Sequence, residues 1–307
     1  MKKKFLFGCV FIFCALFLSA CSNNDISFNA LGVYSYDDSA RYAAAESAGD
    51  SYGATVSSVT EIDIEWVQGE VNITASDTAS DVTFSETADY KGKDEMIMRY
   101  FLDGTTLKIR FAESGVNLSL SPYKNIKKTL FVTLPAAAMA EIDVDSVSAD
   151  VTVSSVKASE ISLDAVSGKI TAKNSEATEA KFATVSGNIT VSDCSFIGST
   201  EINSVSGEAT VNNCSVSNFE AETVSGNVNF QTNSLSGNAK IETVSGNIAV
   251  LLPTEISGFR ASFSTTSGEF SSSSPVTVSG KTHAYGDAPS FALSCSTVSG
   301  NFSVNLQ

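Results

Sequence analysis

The fold is decided by the stretch from residue 184 to residue 250, which reads TVSGNITVSDCSFIGSTEINSVSGEATVNNCSVSNFEAETVSGNVNFQTNSLSGNAKIETVSGNIAV. The triplet Val-Ser-Gly, or a close variant, returns every 19 to 20 residues within it and recurs on both sides of it. Its third residue lies at Ala149, Gly168, Gly187, Gly207, Gly226, Gly246, Gly268 and Gly300, with spacings of 19, 19, 20, 19, 20, 22 and 32. A period near 20 residues is typical of a solenoid, in which each turn buries its apolar face against the next.

Apolar and polar residues alternate on both sides of each triplet. Ile161 and Leu163 precede Gly168, and Ile170 and Ala172 follow it, with polar residues between them. A two-residue period indicates strands with one buried and one solvated face. The sequence therefore predicts an all-β protein, a right-handed parallel β-helix whose turns of about 20 residues each contain two short strands.

The triplet itself predicts the corner between the two strands. The predicted corner residues are Gly168, Gly187, Gly207, Gly226, Gly246, Gly268 and Gly300. Glycine allows a sharp turn, including one with a positive φ, where a Cβ would clash. Ala149 departs from the pattern, so the first turn is expected to be slightly irregular. The valine and threonine columns beside the glycines should stack at about 4.8 Å, with the threonine hydroxyls hydrogen-bonded.

Residues 55–140 predict further strands that begin or cap the solenoid, while residues 141–307 form its repetitive part. Ile62 and Ile64 precede Gly69 in the same register as the later turns. The dipeptide Asp103-Gly104 separates two apolar segments and suits the tight turn of a hairpin.

The N-terminus has the three parts of a secretory signal in residues 1–20: three lysines, an apolar run and two small residues. The run from Phe5 to Leu18 is 14 residues, short of the roughly 20 that a membrane-spanning helix needs. Leu18-Ser19-Ala20-Cys21 resembles the lipobox of bacterial lipoproteins, which implies acylation at Cys21 and a body held to a bacterial membrane outside the cytoplasm. An ordinary signal peptide followed by a chance cysteine is the alternative. Residues 21–54 lack a strand or helical period and are predicted to be a flexible spacer.

From about Thr55 to Gln307 the sequence resembles a bacterial β-solenoid family described as "putative adhesin", whose function is unknown. The resemblance rests on residues 68–73 (QGEVNI), 107–109 (LKI) and 131–135 (FVTLP), together with the Val-Ser-Gly series. It implies a solenoid in the cell envelope and does not define an activity.

The composition restricts the partners. Removing the three N-terminal lysines from 19 basic residues leaves 16 against 34 acidic ones, so the mature chain carries about −18. An acidic chain without a basic stripe is a poor ligand for nucleic acid and is repelled by anionic lipid headgroups. We therefore expect no nucleic acid partner, and we expect any charged partner to be a cation.

Few residues suit catalysis. His283 is the only histidine, which argues against zinc sites and Ser-His-Asp arrangements. The outward positions hold mixed charges; Asp145 with Asp164, and Glu222 with Glu242, could form acidic pairs one turn apart, but a solvated face with salt bridges between turns is the simpler interpretation. We expect no metal, no cofactor and no enzymatic activity.

Two further features leave alternatives open. Cys194 and Cys214 each follow a corner glycine by seven residues, so they should stack in adjacent turns, either as a disulfide, which export permits, or as free thiols. The long interval between Gly268 and Gly300 predicts either a binding loop or a cap over the last strand edge. The candidate binding residues in it are Lys281, His283, Tyr285 and Asp287.

Three functions are compatible with these features of the sequence. The first is a lipid-anchored structural or adhesive module that presents its repetitive faces to a protein, a glycan or another copy of itself. The second is an envelope-stress component that binds cationic peptides. The third, and weakest, is a carbohydrate-active enzyme, because enzymes of this kind need clustered carboxylates or basic residues on one face.

Overall fold

The computed structural model describes residues 27–28, 32–48, 51–88, 93–120, 123, 126–287, 289 and 291–307. The predicted signal segment and Cys21 lie outside these residues. Within the described ranges, helix is limited to two 3₁₀ turns, Ser39–Arg41 and Asp94–Met96. The all-β class predicted from the alternating pattern is confirmed.

The strands follow one another in chain order as β1 (Ser27–Phe28), β2 (Tyr34–Ser35), β3 (Ala43–Ala44), β4 (Glu46–Ala48), β5 (Ser51–Val56), β6 (Glu61–Ser76), β7 (Val82–Ala88), β8 (Arg99–Asp103), β9 (Thr106–Arg110), β10 (Lys128–Pro135), β11 (Met139–Ser154), β12 (Lys157–Ala165), β13 (Ile170–Lys173), β14 (Glu176–Thr184), β15 (Ile189–Ser192), β16 (Ser195–Ser204), β17 (Ala209–Thr223), β18 (Val228–Leu235), β19 (Asn238–Thr243), β20 (Ile248–Leu252), β21 (Phe259–Ser264), β22 (Phe270–Ser272), β23 (Thr277–Ser279), β24 (Thr282–Tyr285), β25 (Phe291–Thr297) and β26 (Phe302–Leu306).

Successive turns pair in parallel along two ladders. In the first ladder, which contains the strands before each corner, β12 pairs with β14 so that Leu163 lies beside Phe182. In the second ladder, which contains the strands after each corner, β13 pairs with β15 so that Ile170 lies beside Ile189. The inward side chains of both ladders are buried, as the two-residue period predicts.

The corners explain the triplet. All seven corner glycines lie in the described part, and none of them has a positive φ. They are glycine because the backbones of successive turns approach closely: a methyl group on Gly187 would overlap the carbonyl oxygen of Gly168, and the next corners repeat this contact. The positive φ considered for these corners is therefore wrong, and steric exclusion of a Cβ is the reason for the glycines.

Hydroxyl groups complete each corner. The amide of Gly187 donates to Oγ1 of Thr184 at 2.9 Å, and that of Gly246 donates likewise to Thr243 at 2.9 Å. The serine of the triplet bonds to the turn before it, since Ser206 donates to the carbonyl oxygen of Val185 at 3.1 Å. This serine is thus a corner residue, as the sequence predicts.

The opposite corner has its own periodic residue. Left-handed backbone with φ between 51° and 58° occurs at Ser155, Asn174, Asp193 and Asn213. The first three directly follow β11, β13 and β15, and Asn213 lies within β17, where the chain passes from the second ladder to the first. Asparagine and aspartate tolerate this conformation better than other residues with a Cβ. The column has the same 19- to 20-residue spacing as the glycines, but its residue type varies between serine, asparagine and aspartate, so it is less visible in the sequence.

The N-terminal region joins the solenoid in the predicted register. Strand β6 pairs in parallel with β11, so that Ile62 lies beside Ile142 and Gly69 beside Ala149. Strands β8 and β9 form an antiparallel hairpin around Asp103 and Gly104, and β9 extends the first ladder beyond β6. Strands β10, β7 and β5 extend the second ladder, with β7 antiparallel to both its neighbours.

Part of the predicted spacer belongs to this cap. Residues 32–48 pack onto the body: Tyr34 is fully buried, its hydroxyl accepts from the amide of Phe111 at 3.2 Å, and β3 pairs with β8. Aromatic contacts between Tyr34, Tyr36 and Tyr42 hold this segment against Phe111 and Phe101. The expectation of a flexible spacer over residues 21–54 is therefore wrong for residues 32–48, and also for residues 51–54, which belong to β5, a strand paired with β7. The signal was missed because isolated tyrosines, rather than a periodic pattern, bury the segment.

The last turns do not stack in chain order. Strand β25 lies between β19 and β21, because Cys295 pairs with Ile241 on one side and with Phe263 on the other. The corners consequently follow one another in space as Gly246, Gly300 and Gly268. The chain leaves one turn empty after β20 and fills it with its C-terminal segment, which accounts for the irregular spacings of 22 and 32.

Candidate binding surfaces

The outward side of the first ladder, here called the charged face, contains most of the charged columns. Residue pairing stacks Glu61, Glu141, Glu160 and Glu179 in one column, and Glu65, Asp145 and Asp164 in another. Salt bridges between turns cross it: Lys181 pairs with Glu160 at 2.6 Å, and Lys240 with Glu220 at 2.6 Å. Lys240 also lies 3.2 Å from both Glu222 and Glu242, so this predicted acidic pair is bridged by a lysine.

Burial, and secondly the neighbouring carboxylates, raise the pKa values of two aspartates at the N-terminal end of the charged face. Burial, followed by the charges of Asp63, Asp164 and Glu141, raises the pKa of Asp143 to about 7. Burial and the nearby Glu201 raise the pKa of Asp164 to about 6, while Lys181 opposes the shift. Lys108 and Arg110 pair with Asp63, and Lys181 with Glu160, but acidic side chains outnumber these basic ones at this end of the face.

We expect Asp143→Asn to stabilise the protein at pH 8 by about 2 kcal/mol, because the asparagine removes a carboxylate whose ionisation is disfavoured in the folded state. The folded pKa of about 7 lies above the unfolded one, so the contribution of Asp143 to stability is present in acid and is lost as the pH rises from about 4 to 7. Urea unfolding at pH 4 and pH 8 measures the effect. Glu255→Gln, at an exposed position, is the control. A variant less stable than the parent at pH 8 contradicts the prediction.

The outward side of the second ladder, here called the hydroxyl face, is different. Its central column contains Asn72, Thr152, Thr171, Thr190, Thr210 and Asn229 in successive turns. None of the four threonine hydroxyls bonds to another residue in the described part of the chain. The column beside it holds charged residues in its first turns, Glu70, Asp150 and Lys169, and again at Glu208. Its last turns form an amide ladder, in which Asn227 Oδ1 accepts from the amide of Asn247 at 2.9 Å and Asn247 Oδ1 from that of Asn301 at 2.9 Å.

One aromatic ring lies in the central column of the hydroxyl face. Phe131 pairs with Asn72 of β6 on one side and with Ser85 of β7 on the other. Gly53 of β5 follows beyond Ser85. Phe131 is 45% exposed, and it is the one aromatic residue among the large apolar side chains that the described part exposes. The alternation in residues 130–134 indicates a strand and does not reveal whether Phe131 is exposed.

The N-terminal cap buries two basic side chains. Lys128 pairs with Glu86 at 2.7 Å with neither side chain exposed, and it donates to the carbonyl oxygens of Met96, at 2.6 Å, and Phe111. The rings of Trp66 and Phe111 lie 4.9 Å and 4.4 Å from its Nζ. Burial lowers the pKa of Lys128 to about 8, against the opposing effect of Glu86.

Arg110 is the second buried base. Its guanidinium donates to both carboxylate oxygens of Asp63, at 2.7 and 3.2 Å, and lies 3.1 Å from Glu65. Sequence reasoning missed these buried groups because isolated charges in alternating strands look like outward residues. Their pairing with the walls of the cap makes them structural.

A shallow cleft lies over the 3₁₀ turn at Ser39. It has a volume of about 360 Å³ and is lined by Tyr36, Ser39, Ala40, Tyr42, Ala44, Arg99, Glu113 and Ser114. Its charged residues are already paired, because Arg99 contacts Glu113 at 2.7 Å and donates to the carbonyl oxygen of Ile97 at 3.0 Å. The cleft therefore offers no free charge to a ligand.

The interval after Gly268 forms a hairpin over the outermost turn. Strand β24 pairs antiparallel with β21 and with β23. His283 stacks on Phe270 with ring centroids 3.7 Å apart, Tyr285 contacts Phe259, and Lys281 donates to Ser264 at 2.8 Å. No contact of Asp287 enters this arrangement. These are the contacts of a cap; a binding role for these residues stays a prediction.

The cysteine pair lies where the register predicts. Cys194 and Cys214 are buried in adjacent turns and are free thiols, which donate to the carbonyl oxygens of Ser192 and Asn212, each at 3.2 Å. The neighbouring Cys194, together with burial, raises the pKa of Cys214. The disulfide considered from the sequence is absent. Adjacent turns are about 4.8 Å apart, wider than the roughly 3.8 Å between Cβ atoms that a disulfide needs. Cys295 is also a buried free thiol.

Among the residues that the structure describes, no group of three or more His, Cys, Asp or Glu side chains could hold a metal ion. In the same residues we find no helix with the length and apolar character required to span a membrane.

Two stacked ladders, closed by caps at both ends and joined by glycine corners, define an all-β repeat protein of the solenoid class. Its broad outward faces are the surfaces available to a partner. The chain belongs to the Toastrack DUF4097 family, whose model matches residues 59–305. The family resemblance seen in the sequence is thereby confirmed.

Solved structures similar to this chain come from species of Parabacteroides and Clostridium. A "putative lipid binding protein" from Parabacteroides distasonis ATCC 8503 is 18% identical, with a TM-score of 0.49 and coverage of 83% of this chain and 97% of that one. A "putative adhesin" from the same organism is 14% identical, with a TM-score of 0.46 and coverage of 84% and 98%. A "putative cell adhesion protein" from Clostridium sporogenes ATCC 15579 is 12% identical, with a TM-score of 0.32 and coverage of 84% and 99%. No curated protein matches the chain.

Proposed function

We propose that this protein is a non-enzymatic interaction module of the bacterial cell envelope, tethered by lipid at Cys21 and presenting its solenoid faces to a partner. The observation that carries the proposal is the pair of broad outward faces, one charged and one rich in free hydroxyls, on a body whose buried ionisable groups are engaged in the cap. Cleavage after residue 20 and right-handed winding in turns of about 20 residues are parts of the same proposal.

The proposed interaction function is tested by measuring whether the protein attaches to cells or envelopes. Latex beads coated with the mature chain should bind to whole cells or to isolated envelopes of the bacterium, whereas beads coated with the heat-unfolded chain should not. Bead counts under the microscope give the readout. Equal attachment of folded and unfolded protein would show non-specific binding and contradict the proposal, and so would the absence of attachment to either target.

The tether is tested at Cys21. We expect Cys21→Ala to abolish incorporation of an alkyne-labelled fatty acid, because the cysteine at this position of the lipobox is the acylated residue in bacterial lipoproteins. Cys14→Ala, a change at a cysteine within the apolar run, should leave labelling intact. Labelling that persists in the Cys21→Ala variant would refute the tether.

A second candidate partner is a cationic peptide. The carboxylates around Asp143 repel one another, and a polymer of lysine or arginine would relieve this repulsion over several turns. Calorimetric titration with oligolysine tests the idea, since binding should weaken with rising salt and in the Asp143→Asn variant. Salt-independent binding, or none, excludes this partner.

A further inference from the structure

We propose that the hydroxyl face binds a neutral, extended glycan, with Phe131 as the stacking platform and the threonine column as the hydrogen-bonding track. This inference rests on the proposed interaction function and names the ligand class of one face. The main observation is the side chain of Phe131, which is 45% exposed in the central column of the hydroxyl face. An isolated exposed ring of this kind contributes apolar contact area without forming an aggregation-prone patch.

The residues around Phe131 leave its ring uncovered. Ser85 and Asn72 are its direct neighbours on the adjacent strands, and Gly53 lies one strand further. Thr129 and Thr133, two positions away along β10, are on the same side. Because all five are small, the ring stands above a shallow polar floor. The pyranose ring presents a face of C–H groups and an edge of hydroxyls, which matches this combination of an apolar plate with polar surroundings.

The track continues in one direction from the ring. After Asn72 come Thr152, Thr171, Thr190 and Thr210, one in each turn at intervals of about 4.8 Å. Each hydroxyl can donate one hydrogen bond and accept two, and none bonds to another residue among those described. A ligand that repeats its hydroxyl groups at a comparable interval could bond to several turns at once, as a linear polysaccharide does.

The distribution of charge around the central column selects the class of ligand. From Phe131 to Asn229 the members of this column are aromatic, hydroxyl or amide residues. The columns beside it hold charges of both signs, because Glu70 and Asp150 are followed by Lys169, and Lys173 lies on the other side of Thr171. Nucleic acids and cationic peptides need a run of charges of one sign along their path. An extended peptide would pair with a strand edge, and this column lies on the face of the sheet. A neutral glycan satisfies each of these conditions.

Affinity electrophoresis tests the proposal with the mature lipidated chain in detergent. Native gels contain hydroxyethyl cellulose, laminarin or dextran as neutral probes, and polygalacturonate as a charged one. The chain should be retarded by at least one neutral probe. Phe131→Ala should weaken this retardation about tenfold, and Thr171→Glu should weaken it comparably, by placing a charge in the track. Phe131→Tyr should preserve it, since the ring remains.

Val278→Ala is the matched control, because Val278 is another exposed apolar residue, 58% exposed, on the C-terminal hairpin. It should leave both retardation and melting temperature unchanged. Retardation by polygalacturonate alone, by no probe, or equally for the parent and Phe131→Ala would overturn the glycan proposal. Bead attachment that persists in Phe131→Ala and Thr171→Glu would then show that the interaction function stands and that its ligand binds another face.

Discussion

Deleting the 20 residues Asn188 to Gly207 should leave a folded protein, whereas deleting only residues 188–197 should unfold it. The full deletion joins Gly187 to Glu208 and moves Ala209 into the place of Ile189, its direct neighbour in the second ladder. Stacked repeats interact mainly with their nearest neighbours, so the shortened solenoid keeps its contacts. The shorter deletion moves residues of the first ladder into the second and breaks every stacked column beyond it.

Circular dichroism and thermal melts distinguish the two variants. The full-turn variant should show a strand spectrum and a cooperative melt within about 10 °C of the parent. The ten-residue variant should already be unfolded at 25 °C and should show no cooperative transition on heating. Similar melts for both would contradict the register described above. Random loss of folding from a shorter chain is excluded by the design, because the variant that loses more residues is expected to be the one that folds.

Glu86→Gln should destabilise the protein by about 3–5 kcal/mol, since it leaves the Lys128 charge buried without its counter-charge. Glu86 also accepts from the amide of Met98 at 2.8 Å, so its carboxylate connects β7 to the segment before β8. Replacing both partners, as Glu86→Leu with Lys128→Met, should recover most of the loss, because apolar residues of similar size carry no desolvation cost. Urea unfolding of the single and double variants measures both effects.

The pH dependence identifies the ion pair as the cause. Without Glu86 the pKa of Lys128 should fall below its value of about 8 in the parent. The stability difference between parent and Glu86→Gln should then narrow as the pH rises towards 8 and remain narrow above it, because Lys128 is neutral in both proteins there. Glu176→Gln, which breaks the exposed pair of Glu176 with Lys157 at 3.1 Å, should change stability little at any pH. If the difference in stability between the parent and Glu86→Gln does not vary with pH, the loss of stability arises from packing and not from the ion pair.

Local sequence determined the repeating part of this protein. The two-residue alternation around each triplet assigned inward residues of both ladders, such as Ile161, Leu163 and Ile170, because a strand has only two faces and one of them must be apolar. At the corner it did not show that the valine is partly exposed, as Val166 is, while the threonine beside it, such as Thr184, is buried. The period of 19 to 20 residues implied which residues would stack, including Cys194 on Cys214 and Ile62 on Ile142. These features depend on residues close to one another in the chain and on a regular repeat, and both can be read from the sequence.

The ends and the surface chemistry were decided by tertiary structure. The order Gly246, Gly300, Gly268 depends on a chain segment that skips one turn and a later segment that fills it, and no local pattern records that exchange. Burial of Lys128 with Glu86 depends on strands 42 residues apart meeting inside the cap. Exposure of Phe131 depends on which small side chains β5, β6 and β7 place around it. In each case the deciding contact joins distant segments, so its free energy exists only once the chain has folded.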